Sequence, residues 1–341
     1  MSYKYKHVIV AYGSNLCLRD FSAFAKRNGK SGDCLNFEKV VTIPDYEICF
    51  NTRSKGRKGG VLNIQPALGT VTPSGLFSTN DEGLALLRKK EGVPFKYEES
   101  EIIVIDQEGS EVSALTYIVP ANRTEGFVSP HPEYLKICEE GLEHWGLDTF
   151  DLQDAAEGKR ISPLPAIFTY GTLMRGESRF SIVYEGGLSC ALMGQCFGTL
   201  STNNSYPALD LKADGFAWGD YFVSDDITSL LQKTDEIEGF HGFGSPRNLF
   251  RRTCVDVDVG AAGQRFAWVY VTDEALPQKI NDNDWRAYRG KRDEFAEGLL
   301  KAHSREVDNF NELLTKNYLR FSRLDNQKEF LDYNQIIDLI V

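Results

Sequence analysis

Histidine and methionine are scarce in this chain, at five and three residues among 341. His7, His131, His144, His241 and His303 are scattered, and no Cys-x-x-Cys pair occurs. Neither a metal-ligand spacing nor a histidine-centred catalytic cluster is therefore written in the sequence, and no metal or organic cofactor is expected. The seven cysteines (Cys17, Cys34, Cys49, Cys138, Cys190, Cys196 and Cys254) are an odd number without framework spacing, which favours reduced thiols. Long apolar runs are also missing. None approaches the ~18 residues needed to span a bilayer, and the run after the basic Met1–His7 segment is too short for a signal core. These absences predict a cytoplasmic protein. Gly-x-Ser-x-Gly, Walker and dinucleotide glycine patterns do not appear. Positive charge is in deficit, with 38 Lys and Arg against 49 Asp and Glu and a formal net charge of −11. That balance argues against nucleic acid or an anionic membrane as partner.

What is present suffices for real cores: 42% hydrophobic and 12% aromatic residues. The length predicts two domains, and an internal repeat agrees. Val8–Ala11 is a short β-branched apolar run that breaks into Tyr12-Gly13-Ser14-Asn15-Leu16. Far downstream, Ala166–Thr169 breaks into Tyr170-Gly171-Thr172-Leu173. Each reads as a buried strand ending in a glycine turn whose backbone N–H groups suit an anion or a carbonyl oxygen. After each turn comes a short helix with acidic residues at its start, Asp81 in the first and Asp225-Asp226 in the second, read as caps. Both helices end in Glu-Gly, at Glu91-Gly92 and Glu238-Gly239. The glycine is a natural left-handed cap. The glutamate faces the negative end of the helix dipole, where a cation would be stabilising, so its recurrence asks for a chemical reason.

Tyr12-Gly13-Ser14-Asn15-Leu16 with Glu91-Gly92-Val93, Gly59-Gly60, the Pro73–Phe77 segment and Ser129-Pro130 followed by Tyr134 resemble the γ-glutamylcyclotransferase family. Tyr170-Gly171-Thr172-Leu173, Tyr206-Pro207-Ala208-Leu209, Glu238-Gly239 and Phe250-Arg251-Arg252 resemble its γ-glutamylamine cyclotransferase branch. The resemblance implies an α+β fold: two tandem mixed β-barrels, each with the glycine turn and the acidic helix end meeting at its mouth. It assigns Glu91 and Glu238 as catalytic, and Tyr12, Gly13, Ser14, Asn15, Leu16, Tyr134, Tyr170, Gly171, Thr172 and Leu173 as substrate-binding. The partner is then a small γ-glutamyl molecule. The first copy departs from the pattern by carrying Arg88 and Lys89 where an acid is expected three residues before its glutamate.

The chemistry can be built from parts. A γ-glutamyl amide contains its own nucleophile, since its α-amine closes a five-membered ring on the γ-carbonyl and releases 5-oxoproline and an amine. Positioning alone can supply ~7–11 kcal/mol of such a cyclisation. The α-amine, with a pKa of ~8, is mostly protonated near neutrality. A carboxylate of raised pKa can take that proton and deliver it to the leaving nitrogen. The competing reading is a non-catalytic metabolite-binding or assembly module of the same fold.

Along the chain, Phe37–Ile43 and Tyr46–Asn51 read as a hairpin turning at Pro44-Asp45, and the basic Arg53–Gly60 segment as a mobile loop. Val61–Gln65, Ser74–Phe77, Ile102–Asp106 and Ser113–Val119 read as strands, and Glu133–Gly146 as a helix. Asp151–Ile161 is charged and precedes Pro163 and Pro165, which places a linker there. Gly239–Asn248 is long enough to act as a lid. The expected domains are 1–158, 159–283 and a helical extension 284–341, the last offering a surface for homo-oligomer formation.

Overall fold

The structure, a computed structural model, describes residues 6–291. The chain divides into two compact units, Met1–Pro163 and Leu164–Val341. The helical extension expected over 284–341 lies outside the described residues, save for a short helix at its start.

The first unit is a closed five-stranded barrel. Its strands are β1 (His7–Ala11), β2 (Leu35–Ser54), β3 (Gly59–Thr79), β4 (Glu98–Asp106) and β5 (Glu111–Ile118). The order around the barrel is β1-β3-β2-β4-β5, closed by a parallel contact of Ile9 with Leu115. Helices α1 (Leu18–Arg27), α2 (Asp81–Glu91), α3 (Pro132–His144) and α4 (Phe150–Ala156) complete the unit.

The hairpin expected at Pro44-Asp45 is instead a kink within the single long strand β2. The pairing with β3 slips between Pro44 and Tyr46, and Asp45 takes φ 57°. Its carboxylate accepts from the Gly69 N–H of β3, so the irregularity is tied across the ladder rather than opened into a turn. The basic segment is not a free loop either. Arg57 pairs with Asp20 at 2.6 Å and lies over the Tyr134 ring. The linker expected at Asp151–Ile161 contains α4, because Leu152 and Ala155 are buried against the core. Helix α2 is capped by Asn80, which accepts from the Gly83 N–H, while Asp81 is its first helical residue and pairs with Lys6 and His7.

The second unit repeats the plan. Its elements are β6 (Ala166–Thr169), α5 (Phe180–Glu185), β7 (Leu188–Phe197), β8 (Thr199–Thr202), β9 (Pro207–Asp210), β10 (Phe216–Ser224), α6 (Ile227–Ile237), β11 (Arg251–Asp258), β12 (Gln264–Val271), β13 (Gln278–Lys279) and α7 (Trp285–Tyr288). A closed barrel runs β10-β6-β12-β11-β7, and a small sheet β13-β8-β9 stands beside it. Here β6 meets β12 in parallel, Ile167 against Trp268, as β1 meets β5 in the first barrel. Strand for strand, β1, β3, β2, β4 and β5 correspond to β6, β10, β7, β11 and β12. The residues that lead into the glycine turn are buried in both barrels, Ile9–Ala11 of β1 and all of β6, so they fix the turn at the barrel mouth. A buried Asp220 is held by Arg175 at 3.0 Å and by Arg286 of α7 at 3.3 Å, which ties α7 to this barrel.

Candidate active site

The glycine turns form where each first strand runs out of paired residues. Leu16 N–H closes on the Gly13 carbonyl at 2.9 Å, and Met174 N–H closes on the Gly171 carbonyl at 3.0 Å. This register puts Thr172 at the place of Ser14 and Leu173 at the place of Asn15. Among the described residues, the N–H groups of Ser14, Asn15, Thr172 and Leu173 make no hydrogen bond. Gly171 is required by close approach: a Cβ there would sit 2.7 Å from Cγ of Pro207. At Gly13 the nearest atom would be 3.4 Å away, an ordinary contact.

Each turn is pinned by the tyrosine before it. Tyr12 Oη donates to the Tyr117 carbonyl and Tyr170 Oη to the Tyr270 carbonyl, both at 2.6 Å. Burial holds both hydroxyls well above the usual tyrosine pKa, so they act as fixed donors. Tyr134 of α3 is buried, and its hydroxyl accepts from Leu62 N–H at 3.3 Å.

Glu91 and Glu238 both arrive beside their own turn. Gly92 and Gly239, at φ 69° and 61°, turn the chain away after each helix and leave the glutamate at the barrel mouth. In the first unit, Tyr12, Gly13, Ser14, Asn15, Tyr134 and Glu91 all border one hollow of ≈ 330 Å³. Leu16 is buried beneath the turn. In the second, Tyr170, Gly171, Thr172, Leu173 and Glu238 border a hollow of ≈ 620 Å³.

The surroundings of the two carboxylates differ. Asn15 Nδ2 donates to Glu91 Oε1 at 2.8 Å. Lys90 Nζ donates to Asn15 Oδ1 at 2.7 Å and to Ser14 Oγ at 3.0 Å, and pairs with Asp20 at 3.2 Å. The second unit has Leu173 and Ile237 where the first has Asn15 and Lys90. Glu238 consequently has no hydrogen-bond partner for its carboxylate among the described residues. Burial against this apolar lining pushes its pKa up to about 7, opposed by the positive charge of Arg179. Neither glutamate forms an ion pair with lysine or arginine among the described residues.

Sequence reasoning missed Tyr117, Tyr270, Arg179, Leu249 and Phe250 as residues around these hollows. The tyrosines become visible only through the parallel closure of each barrel, which no local pattern encodes. The expected lid, Gly239–Asn248, is irregular and folds its Phe240 and Phe243 rings over the Arg252 guanidinium, at 5.0 and 5.3 Å.

The model of the family described as "Gamma-glutamyl cyclotransferase, AIG2-like" matches residues 167–287, inside the second unit. The γ-L-glutamyl-butirosin B γ-glutamyl cyclotransferase of Niallia circulans is 32% identical over 126 residues, which cover 37% of this chain and 78% of that protein. The chain belongs to the γ-glutamyl cyclotransferase family. Among solved structures, an uncharacterized protein from Homo sapiens is 25% identical at a TM-score of 0.38, covering 46% of this chain and 89% of its own. YkqA from Bacillus subtilis is 13% identical at a TM-score of 0.31, covering 91% of this chain and 98% of its own.

Proposed function

We propose that the chain releases 5-oxoproline from γ-glutamyl amides, with Glu238 as the general acid/base of the second unit and Glu91 in the same role in the first. The observation that carries this reading is Glu238: a carboxyl with pKa about 7, beside a turn with unused N–H donors, in a hollow of ≈ 620 Å³. The α-ammonium of the substrate passes a proton to the Glu238 carboxylate, and the free amine attacks the γ-carbonyl carbon. The C–N bond to the leaving group breaks as Glu238 returns the proton to the departing nitrogen. The regenerated carboxylate then takes the second proton from the new ring nitrogen and passes it to the released amine, which leaves as an ammonium. The N–H groups of Thr172 and Leu173 receive the substrate carboxylate or the oxyanion that develops on the γ-oxygen. Every proton and electron pair is accounted for by the substrate and one carboxyl.

The larger and more apolar hollow of the second unit suits γ-glutamyl conjugates of bulky amines. That choice is in keeping with the Niallia circulans relative, whose substrate is γ-L-glutamyl-butirosin B. The hydrogen bond from Asn15 to Glu91 and the smaller hollow favour a different, smaller ligand in the first unit.

The test is a panel of γ-glutamyl amines and γ-glutamyl amino acids assayed for 5-oxoproline with the full chain, Glu238→Gln and Glu91→Gln. Glu238→Gln is expected to lose a factor of roughly 10²–10⁴ on the bulky amines. Glu91→Gln is expected to leave those substrates within about threefold of wild type, because it acts in another hollow. Turnover of none of the panel by the wild type would replace this reading with the metabolite-binding module.

A further inference from the structure

Arg179 is the one cation that borders the ≈ 620 Å³ hollow among the described residues. It forms no ion pair among them and is exposed at the rim. Its backbone N–H donates to the Thr172 carbonyl at 2.9 Å, which moors it to the glycine turn. Another part of the lining is apolar and moored to the backbone of Glu238-Gly239 instead. Leu249 N–H bonds the Gly239 carbonyl at 3.0 Å, and Phe250 N–H bonds the Glu238 carbonyl at 3.1 Å. The Tyr206 ring packs edge-on against Phe250 at 5.9 Å. The hollow therefore has a cationic side joined to the turn and an aromatic, aliphatic side joined to Glu238.

A γ-glutamyl amide has a matching polarity. Its α-carbon carries the carboxylate, and its far end is the leaving amine. Resting on the reaction proposed above, we propose that Arg179 anchors the α-carboxylate of the substrate, while Tyr206, Leu249 and Phe250 receive an uncharged, apolar leaving group. A guanidinium grips a carboxylate through two parallel hydrogen bonds and so orients the α-carbon as well as attracting it. That orientation aims the α-amine at the γ-carbonyl. Among the described residues no lysine or arginine lines the first hollow, and Lys90, beside its turn, is engaged by Asp20 and by the turn's own side chains.

Arg179→Gln and Arg179→Lys in the full chain test this in two ways. In turnover, the substrates are a γ-glutamyl alkylamide and the same compound with its α-carboxylate converted to a carboxamide. Arg179→Gln is expected to raise KM for the first by about tenfold or more while kcat changes less than about threefold, with partial recovery in Arg179→Lys. The carboxamide should bind poorly to wild type and lose nothing further in the variant. In equilibrium binding, which needs no catalysis, L-5-oxoproline should weaken by a similar factor in Arg179→Gln, and 2-pyrrolidinone, which lacks the carboxylate, should not change.

An unchanged KM and unchanged L-5-oxoproline binding would overturn the assignment. So would a loss confined to γ-glutamyl amino acids, which would put Arg179 on the leaving group. If wild type turned over no substrate, the proposed reaction would fall, and the L-5-oxoproline comparison would still decide the role of Arg179.

Discussion

Arg88 grips Glu99 through two parallel hydrogen bonds, Nε to Oε2 at 2.8 Å and Nη2 to Oε1 at 2.6 Å. The equivalent positions of the second unit hold the same ion pair with its charges exchanged. Asp235, three residues before Glu238, faces Arg252 at 3.5 Å. The equivalence is fixed by register, because Glu99 lies opposite Tyr117 and Arg252 lies opposite Tyr270. Each acid also takes the hydroxyl of that tyrosine, Glu99 at 3.4 Å and Asp235 at 2.6 Å. The Arg88 that breaks the expected acidic pattern is thus half of a reversed pair, and the support behind the barrel mouth is kept.

The two pairs should differ in worth. Arg88 and Glu99 are 47% and 21% exposed, whereas Arg252 is 1% exposed and also lies 4.8 Å from the Trp268 ring. Glu99→Gln should cost less than about 1 kcal/mol, in line with exposed pairs. Asp235→Asn removes a negative charge from beside a buried guanidinium and should cost about 2–4 kcal/mol. Denaturant midpoints of the transition assigned to each unit measure both. Equal costs would contradict the contrast in burial.

Gly13 and Gly171 occupy the same place in their turns but should respond differently to a methyl group. Gly171→Ala pushes a Cβ to 2.7 Å from the Pro207 ring, which must give way, whereas Gly13→Ala meets only ordinary contacts. Displacing Tyr206-Pro207 by about 1–3 kcal/mol of overpacking should raise KM for bulky γ-glutamyl amines roughly tenfold or more. Gly13→Ala should leave those substrates unaffected. Steady-state kinetics on the two variants distinguishes the outcomes.

The α+β class, the glycine turns and the helices ended by Glu-Gly were legible in local signals, whereas the placing of Glu91 and Glu238 beside their turns at a barrel mouth followed from the family resemblance that those motifs carry. The extent of β2 was not legible, since Pro44-Asp45 is a strong turn signal locally. Only the hydrogen bond of Asp45 to Gly69 on the next strand converts it into a kink. Helix α4 was hidden for a similar reason: its charged face dominates the composition, and its two buried residues declare themselves only against the core. The exchange of Asn15 for Leu173 was on the page, but its effect on Glu238 needed the turn register and the adjoining Ile237. The Tyr12–Tyr117 and Tyr170–Tyr270 bonds, each between residues about a hundred positions apart, needed the closure of the barrels.

The raised pKa of Glu238 has a consequence for stability. Between pH 4.5 and about 7, the folded chain holds a proton on Glu238 that the unfolded chain releases. Stability therefore falls as pH rises through that window, and the cost is fully present above it. Glu238→Gln removes the cost and should stabilise the second unit by about 2 kcal/mol at pH 8, with no gain at pH 4. Thermal melts of both proteins at the two pH values give the difference. A gain equal at both would mean that packing, not ionisation, is responsible.

The same group should set the acidic limb of catalysis. In the proposed reaction Glu238 must be ionised in the free enzyme to accept the proton of the substrate ammonium. For bulky γ-glutamyl amines, kcat/KM should therefore fall about tenfold per pH unit below about 7, well above the region where an ordinary glutamate would impose it. Arg179 lowers the Glu238 pKa through its positive charge. Its removal in Arg179→Gln should shift the limb to higher pH, on top of any loss of substrate binding. Initial rates from pH 4 to pH 9 with saturating controls for stability measure both proteins. A wild-type limb near pH 4–5 would assign the proton transfer to a carboxylate in a more polar setting. A limb that stays put in Arg179→Gln would mean that the guanidinium does not face Glu238 in solution.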